Sequence, residues 1–317
     1  MANEINTSTF DDLTYTAAVQ PVVIAALSEQ GGLWRLSREF NIIDQPSTGA
    51  KIPTETAWWG SPNDNGDGVD TELDGTQGTD VSNTSASTGS VTISSGEYVV
   101  GMEITDNVIE DSVRGIDVFM WLRDRHLKAM DLAWTDDFCA LFAGLSNTVG
   151  STGVNLTIAQ LIAAQQGLRV RGAESDSTVY VLDNQQQSDV DDALIAGSTS
   201  MAIYAMSADR MIGYAPTADN GMGASRVTMR FRNLPVIATG LTDTANAAAD
   251  VVGACFCASS AANDAAGSTT FGHVWKRLPR LETDRIVAGR STLMVTSSRW
   301  GCGELQDGSG TGIVTDA

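Results

Sequence analysis

Lysine is almost missing from this chain, and one long stretch has no basic residue at all. The 317 residues include three lysines and sixteen arginines against 39 aspartates and glutamates, which gives a formal net charge of −20. Between Ile52 and Val113 there are twelve acidic residues and no lysine or arginine. Because binding to nucleic-acid phosphates depends on Lys and Arg, this balance argues against a protein that coats nucleic acid.

Targeting and membrane signals are also missing. The segment Met1–Phe10 has no basic residue and no apolar core, so it does not form a secretory signal. The most apolar early run, Ala17–Leu27, is shorter than the about 20 residues that cross a bilayer. The sequence therefore predicts a soluble protein that is made in a cytoplasm.

Residues that commonly carry chemistry are few. The four cysteines form no CxxC pair, and Cys255 and Cys257 are interpreted as small buried hydrophobic residues on one face of a strand. His126 is expected at the surface or in an interface, and His273 lies in a predicted strand without a zinc-binding spacing. No GxSxG, P-loop or HExxH motif is present. We therefore expect no catalytic, cofactor or metal residues.

The acidic stretch predicts a long β-hairpin between Lys51 and Glu103, with legs at Lys51–Trp59 and Ser90–Ile104. A segment this polar and glycine-rich cannot bury enough apolar surface to form its own core. The adjacent Trp58 and Trp59 are typical of a hairpin that clamps against packing partners. We therefore expect the hairpin to find its partner elsewhere.

The tip of this predicted hairpin is similar to an EF-hand calcium loop over Asn63–Gly68. Asn63 stands where the loop has its first Asp, and Asp74 stands where it has a bidentate Glu. Pro62 and the glycines also leave no flanking helices. A turn-rich tip is the favoured interpretation, and a weak calcium site is the alternative.

A long helix is predicted from Asp117, its N-cap, to Ala143, with Gly144 after its end. At 1.5 Å per residue such a helix is about 40 Å long. Its expected core positions are Met120, Leu127, Met130, Trp134, Phe138 and Leu141.

Further along the chain, shorter elements are predicted. A capping box formed by Thr157 and Gln160 begins a helix that continues through Leu168. A strand at Thr178–Leu182 and a helix at Gln185–Ile195 follow. The later predicted strands are Met211–Tyr214, Arg226–Phe231, Leu234–Thr239, Val251–Ala258, Thr270–Trp275 and Leu293–Val295. The basic residues between the last two strands are Lys276, Arg277, Arg280, Arg285 and Arg290.

This order of elements resembles the tailed-phage major capsid protein, the shell fold first described in phage Hong Kong ninety-seven. Val100–Ser112 is similar to the lead into the family's spine helix, and Asp131–Gly144 resembles the end of that helix. Asn233–Ile237 resembles the "GxPV" strand of the axial domain, with Asn-Leu where Gly is more usual. The resemblance covers nearly the whole chain and implies an α+β fold.

The resemblance also implies a division of the chain. It places an N-terminal arm at 1–33, the extended β-hairpin loop and its base at 34–104, the peripheral domain with its spine helix (117–143) at 105–182, the axial domain at 183–268, and a return to the peripheral domain at 269–317. About thirty residues precede the body, which leaves no room for a fused scaffold domain. A separate scaffold protein is therefore expected.

The function implied by the resemblance is that of a non-enzymatic major capsid protein. Copies of the chain would assemble as hexamers and pentamers into an icosahedral shell around the double-stranded DNA of a tailed bacteriophage. The expected partners are other copies of the chain, a portal protein and the scaffold, and a decoration protein stays open. The alternatives are an encapsulin-like nanocompartment that holds protein cargo, and an acidic calcium-dependent extracellular adhesin.

The acidic loop and the late basic residues together suggest a subunit interface, in which arginines pair with carboxylates. Trp58 and Trp59 are placed in the same interface, and a loop that is merely solvated is the alternative. Some family members crosslink a loop lysine to a neighbouring asparagine, but Lys51 at the loop base is the last lysine before Lys128, so no crosslink is expected. The predicted interface pairs Asp64, Asp67, Asp70, Glu72 and Asp74 of one copy with Arg277, Arg280, Arg285 and Arg290 of another.

Overall fold

The protein is represented by a computed structural model that describes residues 4–5, 31–57, 87–111, 117–173, 175–196, 212–213, 227–232, 234–245 and 249–316. The helices in these ranges are α1 (Asp106–Asp111), α2 (Val118–Ala140), α3 (Ile158–Val170), α4 (Asn184–Ala196) and α5 (Ala261–Ala266). The strands are β1 (Glu4–Ile5), β2 (Arg38–Asn41), β3 (Gly49–Ala57), β4 (Ser87–Ser94), β5 (Gly96–Thr105), β6 (Thr148–Gly150), β7 (Thr178–Asp183), β8 (Ile212–Gly213), β9 (Val227–Phe231), β10 (Leu234–Thr239), β11 (Thr244–Ala245), β12 (Asp250–Cys257), β13 (Phe271–Ile286), β14 (Ser291–Glu304) and β15 (Gly310–Asp316).

Within the described residues, the strands form three sheets. Sheet I has the order β1-β5-β14-β13-β2. Sheet II has the order β6-β15-β12-β7-β10-β9-β8, and β11 also pairs with β12. The two-stranded hairpin β3–β4 is separate. The chain is therefore an α+β protein, as the sequence predicts.

The hairpin β13–β14 is much longer than its two predicted strands. Residues 276–285 were expected between the strands, but they lie on β13 itself. Pairing is irregular around Pro279, which has no amide hydrogen to donate to the ladder. Beyond Trp275 no described strand pairs with the outer edge of β13, and charged side chains are well tolerated at such an edge. Because these residues are charged, the sequence does not show the apolar pattern that predicts a strand.

The predicted acidic hairpin is confirmed for its first leg and corrected for its second. Strands β3 and β4 pair in antiparallel register from Gly49↔Ser94 outward. The second leg ends at Ser94, however, and Gly96–Thr105 pairs with β14. Residues Met102 and Ile104 on this strand pack with the helix α2, and that burial explains why β5 leaves the hairpin.

The long helix is confirmed, and the Asp117 carboxylate caps it by accepting from Phe119 N (3.0 Å) and Met120 N (3.2 Å). The predicted core face is partly wrong, because Met120 and Leu127 are exposed. The buried face repeats every four residues instead, and it is formed by Val118, Leu122, His126, Met130, Trp134 and Phe138.

The predicted surface position of His126 is also wrong. Its side chain is 2% exposed, and Nδ1 lies 3.1 Å from Thr296 Oγ1 of β14. Burial lowers the pKa of this imidazole. The histidine therefore belongs to the packing between α2 and sheet I.

Aromatic rings fill the space where α2 meets the two sheets. Trp134 of α2 packs edge-on against Trp275 at 4.9 Å between centroids and against Trp34 at 5.8 Å, and Trp300 lies 6.3 Å away. One turn further, Phe138 contacts ring neighbours from both sheets. Each Trp or Phe buries a large apolar surface, so this cluster is the main core.

Sheet II is covered on both faces, which explains its apolar strands. On β7, Val179 and Val181 face the aromatic core, while Tyr180 and Leu182 face a second cluster with α3 and α4. Every residue of β12 is buried, including Cys255 and Cys257 as expected. The Thr157 capping box of α3 is confirmed with both of its hydrogen bonds.

The division into domains stays a prediction. Strand β15, assigned by resemblance to the returning peripheral segment, lies in sheet II beside β12. Arg171 fixes the approach to this strand by donating to Gly308 O (2.7 Å) and Gly310 O (2.9 Å). Sheet II thus unites residues from three of the predicted segments.

Candidate assembly surface

The central strand β14 gives sheet I two different faces. Met294 and Thr296 point toward α2, where they meet the Leu122 cluster and His126. Side chains alternate along a strand, so the odd-numbered residues of β14 point to the opposite side. We call the side away from α2 the far face.

The far face consists of four rows across β5, β14 and β13, which follow from the strand register. The first row is Glu97, Arg299 and Arg277, the second is Val99, Ser297 and Arg280, the third is Gly101, Val295 and Glu282, and the fourth is Glu103, Leu293 and Asp284. Its first two rows carry three arginines and one glutamate, and its last two rows carry three carboxylates. The charges are therefore divided between the two ends of the face.

The β3–β4 hairpin covers the part of this face that lies before the first row. Ile93 packs with Val274 of β13, and a Cβ on Gly303 of β14 would lie 3.0 Å from the Ile93 side chain. A Cβ on Gly301 would lie closer still, 2.1 Å from the backbone oxygen of Ser94. The hairpin does not cover the second row, where Val99 is 57% exposed.

An open depression of about 550 Å³ lies along β13 at the acidic end. Its apolar lining residues are Leu281, Leu293 and Val295, and its polar and charged ones are Arg280, Glu282, Thr283 and Asp284. The depression therefore presents both apolar and charged groups to solvent.

The four arginines of the predicted interface are found on or beside this hairpin, but most are already paired. Arg277 Nη2 lies 2.6 Å from Glu97, Arg280 Nε lies 3.0 Å from Glu282, and Arg285 is bidentate to Asp106. Hydrogen bonding from Arg285 lowers the pKa of the Asp106 carboxyl.

Arg290 differs from the other three. It lies in the turn of the hairpin with a positive φ of 50°, and its carbonyl accepts from Asp106 N at 3.0 Å. Left-handed backbone is uncommon for a residue with a side chain. Among the described residues Arg290 forms no ion pair within 4 Å.

The other half of the predicted interface lies outside the described residues. This holds for Asp64, Asp67, Asp70, Glu72 and Asp74, for Trp58 and Trp59, and for the calcium-like loop. The pairing of these residues with the arginines therefore stays a prediction. Sequence analysis did not include Arg299, Leu293 and Val295 among the interface residues, because the consecutive apolar residues 293–295 do not show which side chains face away from α2.

No site for chemistry is evident in the described ranges. They contain no cluster of three His, Cys, Asp or Glu side chains that could hold a metal ion. Burial raises the pKa of the Cys302 thiol to about 12 and that of Cys139 further, which keeps these two thiols protonated at neutral pH. None of the helices that are described is long and apolar enough to pass through a bilayer.

Comparison with known proteins gives a match only at the level of structure. No protein-family model matches the sequence, and no curated protein matches it significantly. The capsid structure of the cyanophage P-SCSP1u matches with a TM-score of 0.64 at 14% identity, over 99% of this chain and 96% of that one. The chain has the tailed-phage capsid fold.

Two further matches support the same fold. The head structure of Helicobacter pylori bacteriophage KHP40 aligns with a TM-score of 0.63 at 13% identity, covering 98% of this chain and 97% of that chain. The capsid of a native GTA particle aligns with a TM-score of 0.59 at 14% identity, covering 99% and 100%. The capsid fold therefore extends over nearly the entire chain.

Proposed function

We propose that this protein is the major capsid protein of a tailed bacteriophage, and that its copies assemble into the icosahedral shell around the double-stranded DNA genome. The observation that carries the proposal is the capsid fold over 98–99% of the chain. The protein acts by binding itself and not as an enzyme. It is made in the host bacterium and resides in the virion.

The described surface supports self-assembly. The β3–β4 hairpin packs on the body near its base through Ala50, Ile93 and their neighbours, and its two strands lead away toward residues 58–86. The far face beside it leaves Val99 exposed and Leu293 partly buried, although both are apolar. This part of the surface is therefore accessible to another copy of the chain.

Purified full-length protein tests the proposal. We expect closed particles of uniform size in negative-stain electron microscopy, and a matching fast-sedimenting species in velocity sedimentation. A compact monomer at every protein concentration and salt concentration would overturn the proposal.

The contents of particles purified from their natural source distinguish a phage head from a nanocompartment. After nuclease treatment, protected double-stranded DNA supports a phage head. A protected protein cargo without DNA would instead favour the encapsulin-like alternative. Calcium titration of the intact protein tests the adhesin, which requires calcium-dependent binding to a cell surface.

The pairing of the acidic loop with arginines of a neighbour belongs to the same proposal. Arg280 is the most suitable position to test. Its ion pair with Glu282 is exposed and contributes only about 0–1 kcal/mol, so its substitution should leave the fold of the subunit intact. Arg280→Glu should lower the salt concentration at which particles dissociate. Glu282→Gln is the matched control, since it breaks the same pair and keeps the arginine. Equal behaviour of the two variants would rule out this role for Arg280.

A further inference from the structure

One of the three lysines of the chain, Lys276, contacts the turn at the base of the β3–β4 hairpin. Its ammonium nitrogen, Nζ, donates to Ile42 O at 3.3 Å, to Ile43 O at 3.5 Å and to Gln45 O. These carbonyl oxygens belong to the base turn, residues 42–48, which connects β2 to β3. Among the described residues Lys276 has no carboxylate within 4 Å, so its ammonium group binds backbone oxygens instead.

A β-bulge aims this lysine at the base turn. Trp275 and Arg277 pair with consecutive residues of β14, so Lys276 is an extra residue of β13 in the register of the two strands. An extra residue of this kind bends its strand and redirects its side chain. Directly before the bulge, the Trp275 carbonyl accepts from the first amide of the base turn at 3.0 Å, which brings the turn within reach of the lysine.

The geometry of the contact explains why this position is a lysine in a chain with sixteen arginines. An ammonium group has three donors around one point, and all three can converge on the carbonyl oxygens of a single turn. The guanidinium group of arginine is a rigid planar fork, which suits a carboxylate better than three separate carbonyls. Hydrogen bonds from a charged donor are also stronger than those between neutral groups.

The base turn is the pivot of a long lever. Among the described strands, β3 and β4 pair only with each other, and the hairpin meets sheet I through a small apolar cluster around Ile93 and Val274. Strand β3 runs for nine residues from Gly49 to Ala57. At about 3.3 Å per residue this length is about 26 Å, so a rotation of about 10° at the base would move Ala57 by about 5 Å.

We propose that Lys276 is a positioning residue for assembly, because its ammonium group fixes the base turn and thereby sets the direction in which the β3–β4 hairpin leaves the body. This inference rests on the proposed self-assembly, and it adds a contact within the subunit that keeps the subunit in one shape. Copies that project their hairpins in one direction make contacts at constant angles and close into particles of one size. Copies with a loose base turn make contacts at variable angles, and their particles differ in size.

Trace acetylation of the unmodified protein tests the lysine contacts. The reaction is carried out with acetic anhydride on folded subunits, at a salt concentration that dissociates the particles, and on the chain unfolded in urea. We expect mass spectrometry to show that Lys276 reacts at least about tenfold more slowly in the folded subunit, because acetylation requires local opening of the base turn. Lys51 is exposed and should react at similar rates in both states. Equal protection of the two lysines would overturn the inference.

Lys276→Ala tests the effect on assembly, since it removes the ammonium group and keeps Cβ. We expect the subunit to unfold cooperatively in urea, and its particles to have at least about twice the spread of diameters of the unmodified protein in negative stain. Lys51→Ala is the matched control, because it removes an exposed ammonium group from the hairpin itself. Its particles should keep the uniform diameter.

Chemical rescue distinguishes the ammonium group from packing of the side chain. Propylammonium replaces the atoms that Lys276→Ala removes, from Cγ to Nζ, so variant particles assembled in its presence should regain a uniform diameter. Propan-1-ol has a similar shape without the charge, and sodium chloride supplies the same ionic strength. Neither of these should restore uniform particles.

Three outcomes would overturn the inference and leave the proposed function intact. They are uniform particles from Lys276→Ala, a Lys276→Ala subunit that no longer folds, and propylammonium that acts no better than propan-1-ol. The second of these would show that the lysine serves stability alone. If the unmodified protein forms no particles at all, the proposed function itself fails.

Discussion

Mild acid should weaken this fold through His273, whose ring is enclosed by tryptophans. Its centroid lies 5.2 Å from Trp34, 6.3 Å from Trp275 and 6.4 Å from Trp300. Ser37 Oγ donates to Trp34 O, so we assign the imidazole proton to Nδ1, which donates to Ser37 Oγ at 2.7 Å. Among the described residues Nε2 has no hydrogen-bond partner. Burial lowers the pKa of this histidine to about 4.

The size of the effect follows from linkage. An unfolded histidine has a pKa near 6.5, so between pH 6.5 and pH 4 the unfolded chain binds a proton that the folded chain does not. The stability is fully present above pH 6.5 and is lost as the pH falls. The loss reaches about 2 kcal/mol at pH 5 and about 3 kcal/mol below pH 4.

The assay is urea unfolding followed by tryptophan emission at pH 7.5 and pH 5.0. His273→Asn keeps a donor near the Nδ1 position but cannot gain a proton in this range. We expect the unmodified protein to lose about 2 kcal/mol more than this variant on acidification. His126→Asn is the matched control, and it should remove only the share of the other buried histidine. The reasoning is refuted if the protein and His273→Asn lose the same free energy.

Three further outcomes are expected. Trp134→Ala should lower the free energy of unfolding by about 3–5 kcal/mol, measured in urea, because it empties the centre of the aromatic core; a loss below 1 kcal/mol would contradict that packing. Gln186→Leu removes the hydrogen-bond partner of Asp183 N, Val251 O and Ile313 O. The free energy of unfolding should fall by about 1–3 kcal/mol for each of these groups that is left unpaired. In the same urea experiment, the control Gln185→Leu, at an exposed position, should change it by less than about 0.5 kcal/mol. Denaturing electrophoresis of particles should give one band near 33.4 kDa, since no lysine follows Lys51 until Lys128, and a ladder of covalent oligomers would disprove it.

Local signals in the sequence predict the starts of two helices and the bounds of one strand. The caps of α2 and α3 involve neighbouring residues, so Asp117 and the Thr157 capping box predicted both helix starts. The apolar run at Leu234–Thr239 predicted both ends of β10, because this pattern also lies within neighbouring residues. What the sequence could not supply is the identity of distant partners.

Pairing between distant segments explains the errors. β5 leaves the acidic hairpin because it pairs with β14, a strand from the far end of the chain, and because its Met102 and Ile104 pack with α2. The same sheet decides which side of α2 is buried, so Leu122 and His126 are inside and Leu127 is outside. The arginines were recognised as a group, but their intrachain partners Glu97 and Asp106 were not, since those contacts depend on the register of sheet I.

The position of β13 and β14 late in the chain has a consequence for the order of folding. Until residues 271–304 have been synthesised, β2 has no partner in sheet I and β5 has only the two-residue strand β1, because among the described strands β2 pairs with β13 and β5 pairs with β1 and β14. Contacts so distant in sequence form slowly. A nascent chain therefore cannot present the complete far face, and subunits become competent to associate only after most of the polypeptide has left the ribosome.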